Sequence, residues 1–127
     1  MRISVESLET QALKQLGQEA IQQLQAQDFA GLAQRFGYAV AFGRDLATAI
    51  REDLALAPVA VGLLDQDIDP VGTISVTFLT PNATGLVATI ECIARDAVSV
   101  FTLELIITGT ENAFDVTLEG VMRVCAG

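Results

Sequence analysis

Leu86-Val87-Ala88-Thr89-Ile90-Glu91-Cys92-Ile93-Ala94-Arg95 is the stretch that decides the fold. Its side chains alternate in character. Leu86, Ala88, Ile90, Cys92 and Ala94 fall on one side, and Val87, Thr89, Glu91, Ile93 and Arg95 on the other. A period of two marks a half-buried strand. A two-residue turn at Asp96-Ala97 folds the next strand, about 98–109, back on it. That turn pairs Arg95 with Val98, Cys92 with Phe101, and Ile90 with Leu103. Cross-strand partners share a face, so Ser99, Phe101, Leu103, Leu105 and Ile107 are expected on the core side. All but Ser99 are large and apolar. Thr102 and Glu104 fall on the opposite side with Thr89 and Glu91. A slip of one residue would invert every side chain, so this agreement fixes which side is core.

The neighbouring segments extend the sheet. Residues 71–79 place Ile74, Val76 and Phe78 on one face and Thr73, Ser75 and Thr77 on the other. Residues 114–124 alternate Phe114, Val116, Leu118, Met122 and Val124 with Asp115, Thr117, Glu119, Val121 and Arg123. A shorter strand is expected at 59–64, closed by the acidic loop 65–70. Alternation of this kind belongs to an antiparallel sheet with one covered face.

The cover comes from the first half, where the apolar period lengthens to that of a helix. A helix is expected over about 5–26, with Ser4 as N-cap and an Ile3–Leu8 hydrophobic staple. Its stripe is Leu13, Leu16, Ala20 and Leu24, widened by Ala12 and Ile21. Gly17 inside it costs up to ~1 kcal/mol relative to Ala, which a close helix–sheet contact would explain. Asp28 caps a second helix whose inner face is Phe29, Leu32, Ala33 and Phe36. Gly37 supplies the positive φ that ends it. Residues 38–42 read as a short strand. Asp45 caps a third helix that carries Leu46, Ala49, Ile50 and Leu54 and stops at Pro58. The expectation is one α+β domain over 1–127: helices at about 5–57 packed on one face of a curved antiparallel sheet at about 58–125.

Composition bounds the function. Of 127 residues, 51% are apolar and 18% charged, a globular balance. Sixteen acids against seven bases give a net charge of −9. That sign disfavours nucleic-acid backbones and anionic membrane surfaces. No apolar run reaches the ~18 residues of a membrane span. The start, with Glu6 and Glu9 and no apolar core, does not read as a signal peptide. Cys92 and Cys125 form no CxxC or Cys/His grouping. A cytoplasmic protein with reduced thiols is the expectation.

The chain has no histidine. The usual acid–base and nucleophile-activating sets at neutral pH are therefore missing. Glu91 and Glu104 lie near each other on one sheet face, where a carboxyl pair could split its pKa values. The plainer reading is a solvated face on which Arg95 and Arg123 balance Glu91, Glu104 and Glu119. Asp65, Asp67 and Asp69 have the spacing that opens a calcium loop. Pro70 and Val76 stand where such a loop needs glycine and a bidentate glutamate, so no metal is expected. No nucleotide motif and no cofactor is implied. Tyr38, the single tyrosine, is a candidate hydrogen bonder in a cleft between helices and sheet, with Glu91 and Glu104 as candidate carboxylates.

A long helix followed by Gln27-Asp28-Phe29-Ala30-Gly31-Leu32, with a curved sheet after it, resembles the cystatin-like superfold. That group includes the nuclear-transport-factor-like and SnoaL-like families and small uncharacterised bacterial members. The resemblance implies helices wrapped by a sheet around a cone-shaped pocket. It mostly does not bring an active site: the enzymatic members commonly use a His–Asp, Asp–Tyr or similar acid–base set, and this chain has no histidine. Pro58-Val59-Ala60-Val61-Gly62 has Pro where the inhibitory cystatin hairpin has Gln, so protease inhibition is not supported.

The outer side of the expected sheet is too apolar for plain surface. Val87, Ile93, Val100, Ile106 and Val121 all fall on it, and a homodimer contact is the simple explanation. The leading expectation is a non-enzymatic binding or assembly domain that dimerises through its sheet. Two alternatives stand beside it. One is a small hydrophobic ligand, bound or turned over by carboxylates, in a pocket between helices and sheet. The other is an acidic partner of a basic protein.

Overall fold

The computed structural model describes residues 1–55, 73–80, 85–95, 99–110 and 113–125. The expected strand at 59–64, the loop with Asp65, Asp67 and Asp69, Pro58 and the 96–97 turn lie outside the described residues. The elements are β1 (Arg2–Ile3), α1 (Thr10–Gln25), α2 (Phe29–Phe36), α3 (Leu46–Ala55), β2 (Thr73–Phe78), β3 (Leu86–Arg95), β4 (Ser99–Thr110) and β5 (Ala113–Cys125). The strands form one antiparallel sheet in the order β1-β5-β4-β3-β2. N-terminal helices and C-terminal strands make this an α+β fold. No helix of the described residues is long and apolar enough to cross a membrane.

The first helix starts later than its apolar stripe suggests. Ile3 is drawn into β1, where it pairs with Phe114 and is buried. Beside it the Arg2 guanidinium reaches Asp115 at 3.2 Å. The backbone stays extended through Ser4, whose side chain caps nothing, and residues 5–7 make only a short 3₁₀ turn. Glu9 is the true N-cap, accepting from the Ala12 N–H at 3.0 Å.

The other two caps follow the sequence. Asp28 accepts from the Gly31 N–H at 3.1 Å, and Gly37 ends α2 at φ +72°. The Thr48 N–H donates to Asp45 at 3.1 Å at the start of α3. Residues 38–42 form turns rather than a strand. They are tied to β5 by a bond from the Ala39 N–H to the Leu118 carbonyl at 2.9 Å.

α1 packs on β2 and β3, and α2 and α3 on β5. Leu13, Ile21, Leu24, Leu32 and Ile50 from the helices meet Ile90, Leu105, Ile107, Val116 and Leu118 from the sheet, all essentially solvent-free. Gly17 sits where helix and sheet come closest. A Cβ there would lie 2.9 Å from Cys92 Sγ and from methyl groups of Ile74 and Ile90. The close contact is why glycine stands inside this helix.

The β3–β4 register differs from the expected one by two residues. Arg95 pairs with Val100, Cys92 with Leu103 and Ile90 with Leu105. An even shift preserves the side on which each residue falls, so Leu103, Leu105 and Ile107 are buried as expected.

Alternation fails at two bulges. In β3, Leu86 pairs with Thr108 and Ala88 with Ile107, leaving Val87 as the extra residue. In β5, Gly120 pairs with Glu104 but Leu118 with Leu105, leaving Glu119 as the extra residue. A single inserted residue inverts the side-chain direction beyond it. Val121 and Arg123 therefore share the side of Leu103 and Phe101, while Met122 turns outward and is 41% exposed.

Candidate functional site

The two bulges redraw the outer side of the sheet. Val87 and Val121 pack against the core instead of standing on that side. Val100 is on it by register but is buried. Ile93 is 37% exposed, and Ile106 is half-buried opposite Thr89 and Thr117. Of the five residues expected to make an apolar outer face, Ile93 and Ile106 alone stand on its open part. An apolar outer face would need unbroken alternation through β3 and β5, and the two bulges interrupt it.

What the outer side gains is charge. Glu91 and Glu104 are direct cross-strand partners, and Glu104 pairs on its other edge with Gly120, next to Glu119. These carboxylates border an open groove of about 500 Å³ whose walls include Ile93, Thr102 and Met122. Arg123, expected to balance them, has been carried to the other side by the bulge. Partial burial and then the charges of Glu91 and Glu119 raise the Glu104 carboxyl above its ordinary pKa. Like charges directly opposite destabilise a sheet, so this cluster is a cost to the fold. Among the described residues, no group of three or more acidic, cysteine or histidine side chains is placed to hold a metal ion.

On the helix side, a cleft of about 570 Å³ opens where the C-terminal ends of α1 and α3 and the start of α2 meet β4 and β5. Its apolar walls are Leu24, Phe29, Leu54 and Phe101, and its cations are Arg51 and Arg123. Arg123 is the cross-strand partner of Phe101. The Arg123 Nε is shielded from solvent and has no hydrogen-bond partner. A buried donor left unpaired costs roughly 1–3 kcal/mol, so such groups are rare and call for a cause.

Tyr38 lies in neither space. It is buried, and its hydroxyl donates to Asp53 of α3. Arg44 grips both oxygens of the same carboxylate, at 3.0 and 3.3 Å, and its remaining donors reach the carbonyls of Ala41 at 2.7 Å and Val40 at 2.9 Å. The Arg44 guanidinium, and then the Tyr38 hydroxyl, hold the Asp53 carboxyl below the usual aspartate range. Burial first, and Asp53 second, push the Tyr38 phenol well above its ordinary pKa. These shifts keep Tyr38 protonated and Asp53 ionised at neutral pH. The network ties residues 38–44 to α3, and its polar groups are already engaged.

The candidate cleft residues are thus separated. Tyr38 is part of a clamp, and Glu91 and Glu104 face the opposite side of the sheet. Arg51, Arg123, Phe29 and Phe101, which do line the cleft, were not singled out together. One signal for Arg123 was present: Gly120 inside a strand pattern is a mark of a bulge. Cys92 is buried, its thiol pushed up to about 12 by desolvation, and it donates to the Gly17 carbonyl at 3.6 Å. It behaves as a small core residue. In comparisons with protein-family models, curated proteins and solved structures, nothing matches this chain.

Proposed function

We propose that this protein is a non-enzymatic binding module that docks a cationic partner on the open side of its sheet. The observation that carries this reading is the stack of Glu91, Glu104 and Glu119 along a groove that also exposes Ile93 and Met122. Mutual repulsion is tolerated there at a cost to the fold. A partner bearing Lys or Arg would neutralise the carboxylates, and its aliphatic stems would cover the apolar walls. The absence of histidine and the self-contained Tyr38–Asp53–Arg44 clamp both favour binding over catalysis. Cystatin-like membership is proposed at the level of architecture, supported by helices that precede four of the five strands and cover the antiparallel sheet. A cytoplasmic setting goes with the buried, reduced Cys92.

A second copy of the chain is the other occupant to weigh, since Ile93 and Met122 are apolar and exposed. A two-fold contact centred on this groove would bring the glutamates of both copies together, which the charge argues against.

The test is calorimetric titration with a lysine-rich peptide at low and high salt. Binding at low salt, weakened at least tenfold when Glu91, Glu104 and Glu119 are all changed to Gln, is the expected result. Equal binding by the wild type and the triple variant would reject the docking surface.

A further inference from the structure

We propose that the cleft on the helix side is a binding site for a small amphipathic organic anion, an acidic head group on an apolar or aromatic tail. This site is distinct from the acidic groove and lies across the sheet from it.

The chain carries only seven basic residues against sixteen acids. Two of the seven, Arg51 and Arg123, line one cleft with four large apolar side chains. In so acidic a protein the ordinary fate of an arginine is an ion pair, as Arg2, Arg35 and Arg44 show. Among the described residues neither Arg51 nor Arg123 makes an ion pair within 4 Å, and Arg51 acts on Asp45 only at longer range.

Position sharpens the point. Arg51 stands exposed on α3 at the cleft's edge, while Arg123 reaches in from the sheet with its Nε shielded from solvent and unbonded. A guanidinium presents a planar fork of donors that matches a carboxylate, sulfonate or phosphate. Phe101, directly across from Arg123, and Phe29, Leu24 and Leu54 supply the apolar surface that would bury the rest of the molecule. The cleft volume falls in the range of roughly 300–1,000 Å³ typical of small-molecule sites. Few convergent polar groups on a mostly apolar wall is the pattern of a site that orients one charged end.

The bulge at Glu119 ties the site to the fold. Without the extra residue Arg123 would face the open side and neutralise the glutamates there. The insertion removes a cation from an acidic surface and places it under the helices.

The test uses the full chain and two probes of equal tail length, decanoate and decanol, titrated by calorimetry. Decanoate is expected to bind at least tenfold more tightly than decanol. Arg123→Gln and Arg51→Gln should each lower decanoate affinity about five- to tenfold and leave decanol unchanged. Arg123→Lys keeps the charge and should retain part of the affinity, and circular dichroism confirms that each variant is folded. Equal affinity for the two probes, or decanoate affinity indifferent to both Gln variants, would overturn the proposal. No decanoate binding at millimolar concentration would overturn it as well.

Discussion

Gly17 shows how one residue records the distance between two layers. Its apolar neighbours in sequence announce a helix, and the glycine looks like a defect in it. The structure supplies the reason: a Cβ would press on Cys92, Ile74 and Ile90 at 2.9 Å each. Gly17→Ala should therefore destabilise the protein. Overpacking costs typically ~1–3 kcal/mol, against a gain in helix propensity of up to ~1 kcal/mol. A net loss of about 1 kcal/mol is expected in urea denaturation, and Cys92→Ala in the same chain should recover part of it.

The Tyr38–Asp53–Arg44 clamp gives a second residue-level expectation. Tyr38→Phe removes a buried bond to a carboxylate and should cost about 1–2 kcal/mol. The Asp53 carboxyl is held low in the folded state, so the unfolded chain takes up its proton first as pH falls. The stability that Asp53 adds is thus fully present above the unfolded value of 3.8 and is lost as pH falls through the lower folded value. Comparing Asp53→Asn with the wild type should show a gap in unfolding free energy that is constant from pH 7 to about 5 and closes below about 4. A gap that widened in acid would contradict the clamp. None of this was legible in sequence, because Tyr38, Arg44 and Asp53 meet only after two turns and a helix have been placed.

At the scale of elements, what could be read was periodicity, and what could not was its interruption. The face of β3 and β4 was legible because four large apolar residues had to share one side. The register was read two residues short, since alternation fixes parity but not pairing. In β5 parity itself failed, at Glu119, and with it the placement of Val121, Met122 and Arg123. The two α-helical N-caps at Asp28 and Asp45 were legible because an aspartate before an apolar stripe has a local role. The cap of α1 was not: β1 pairing with β5 keeps the chain extended through Ser4, and Glu9 takes the role expected there.

The Glu91–Glu104 pair makes an element-level prediction. Glu104 has its pKa raised, so its ionised form works against the fold. Folded Glu104 binds a proton more readily than the unfolded chain, and the penalty is relieved as pH falls through the raised value. Glu104→Gln should stabilise the protein at pH 7. The gain should be below about 1 kcal/mol, because the group is partly exposed and solvent screens it. It should shrink in high salt and in mild acid. A loss of stability at pH 7 would mean that Glu104 has a partner on this face.

In the molecule as a whole, two chemistries lie on opposite faces of one sheet. The open side is acidic, and the helix side holds two arginines in an apolar cleft. The sign of the open side governs self-association. Sedimentation velocity at neutral pH should find the wild type monomeric at tens of micromolar. Changing Glu91, Glu104 and Glu119 together to Gln removes the repulsion and should shift the protein toward a dimer. A wild-type dimer that the triple variant dissociates would make the glutamates part of a self-contact.

The most direct test of the proposed docking face is amide chemical-shift mapping of the labelled protein with a lysine-rich peptide. Shifts should concentrate at Glu91, Ile93, Thr102, Glu104 and Glu119 to Met122, with little change along α1, α2 or α3. Shifts centred on the helices, or spread evenly over the surface, would contradict it.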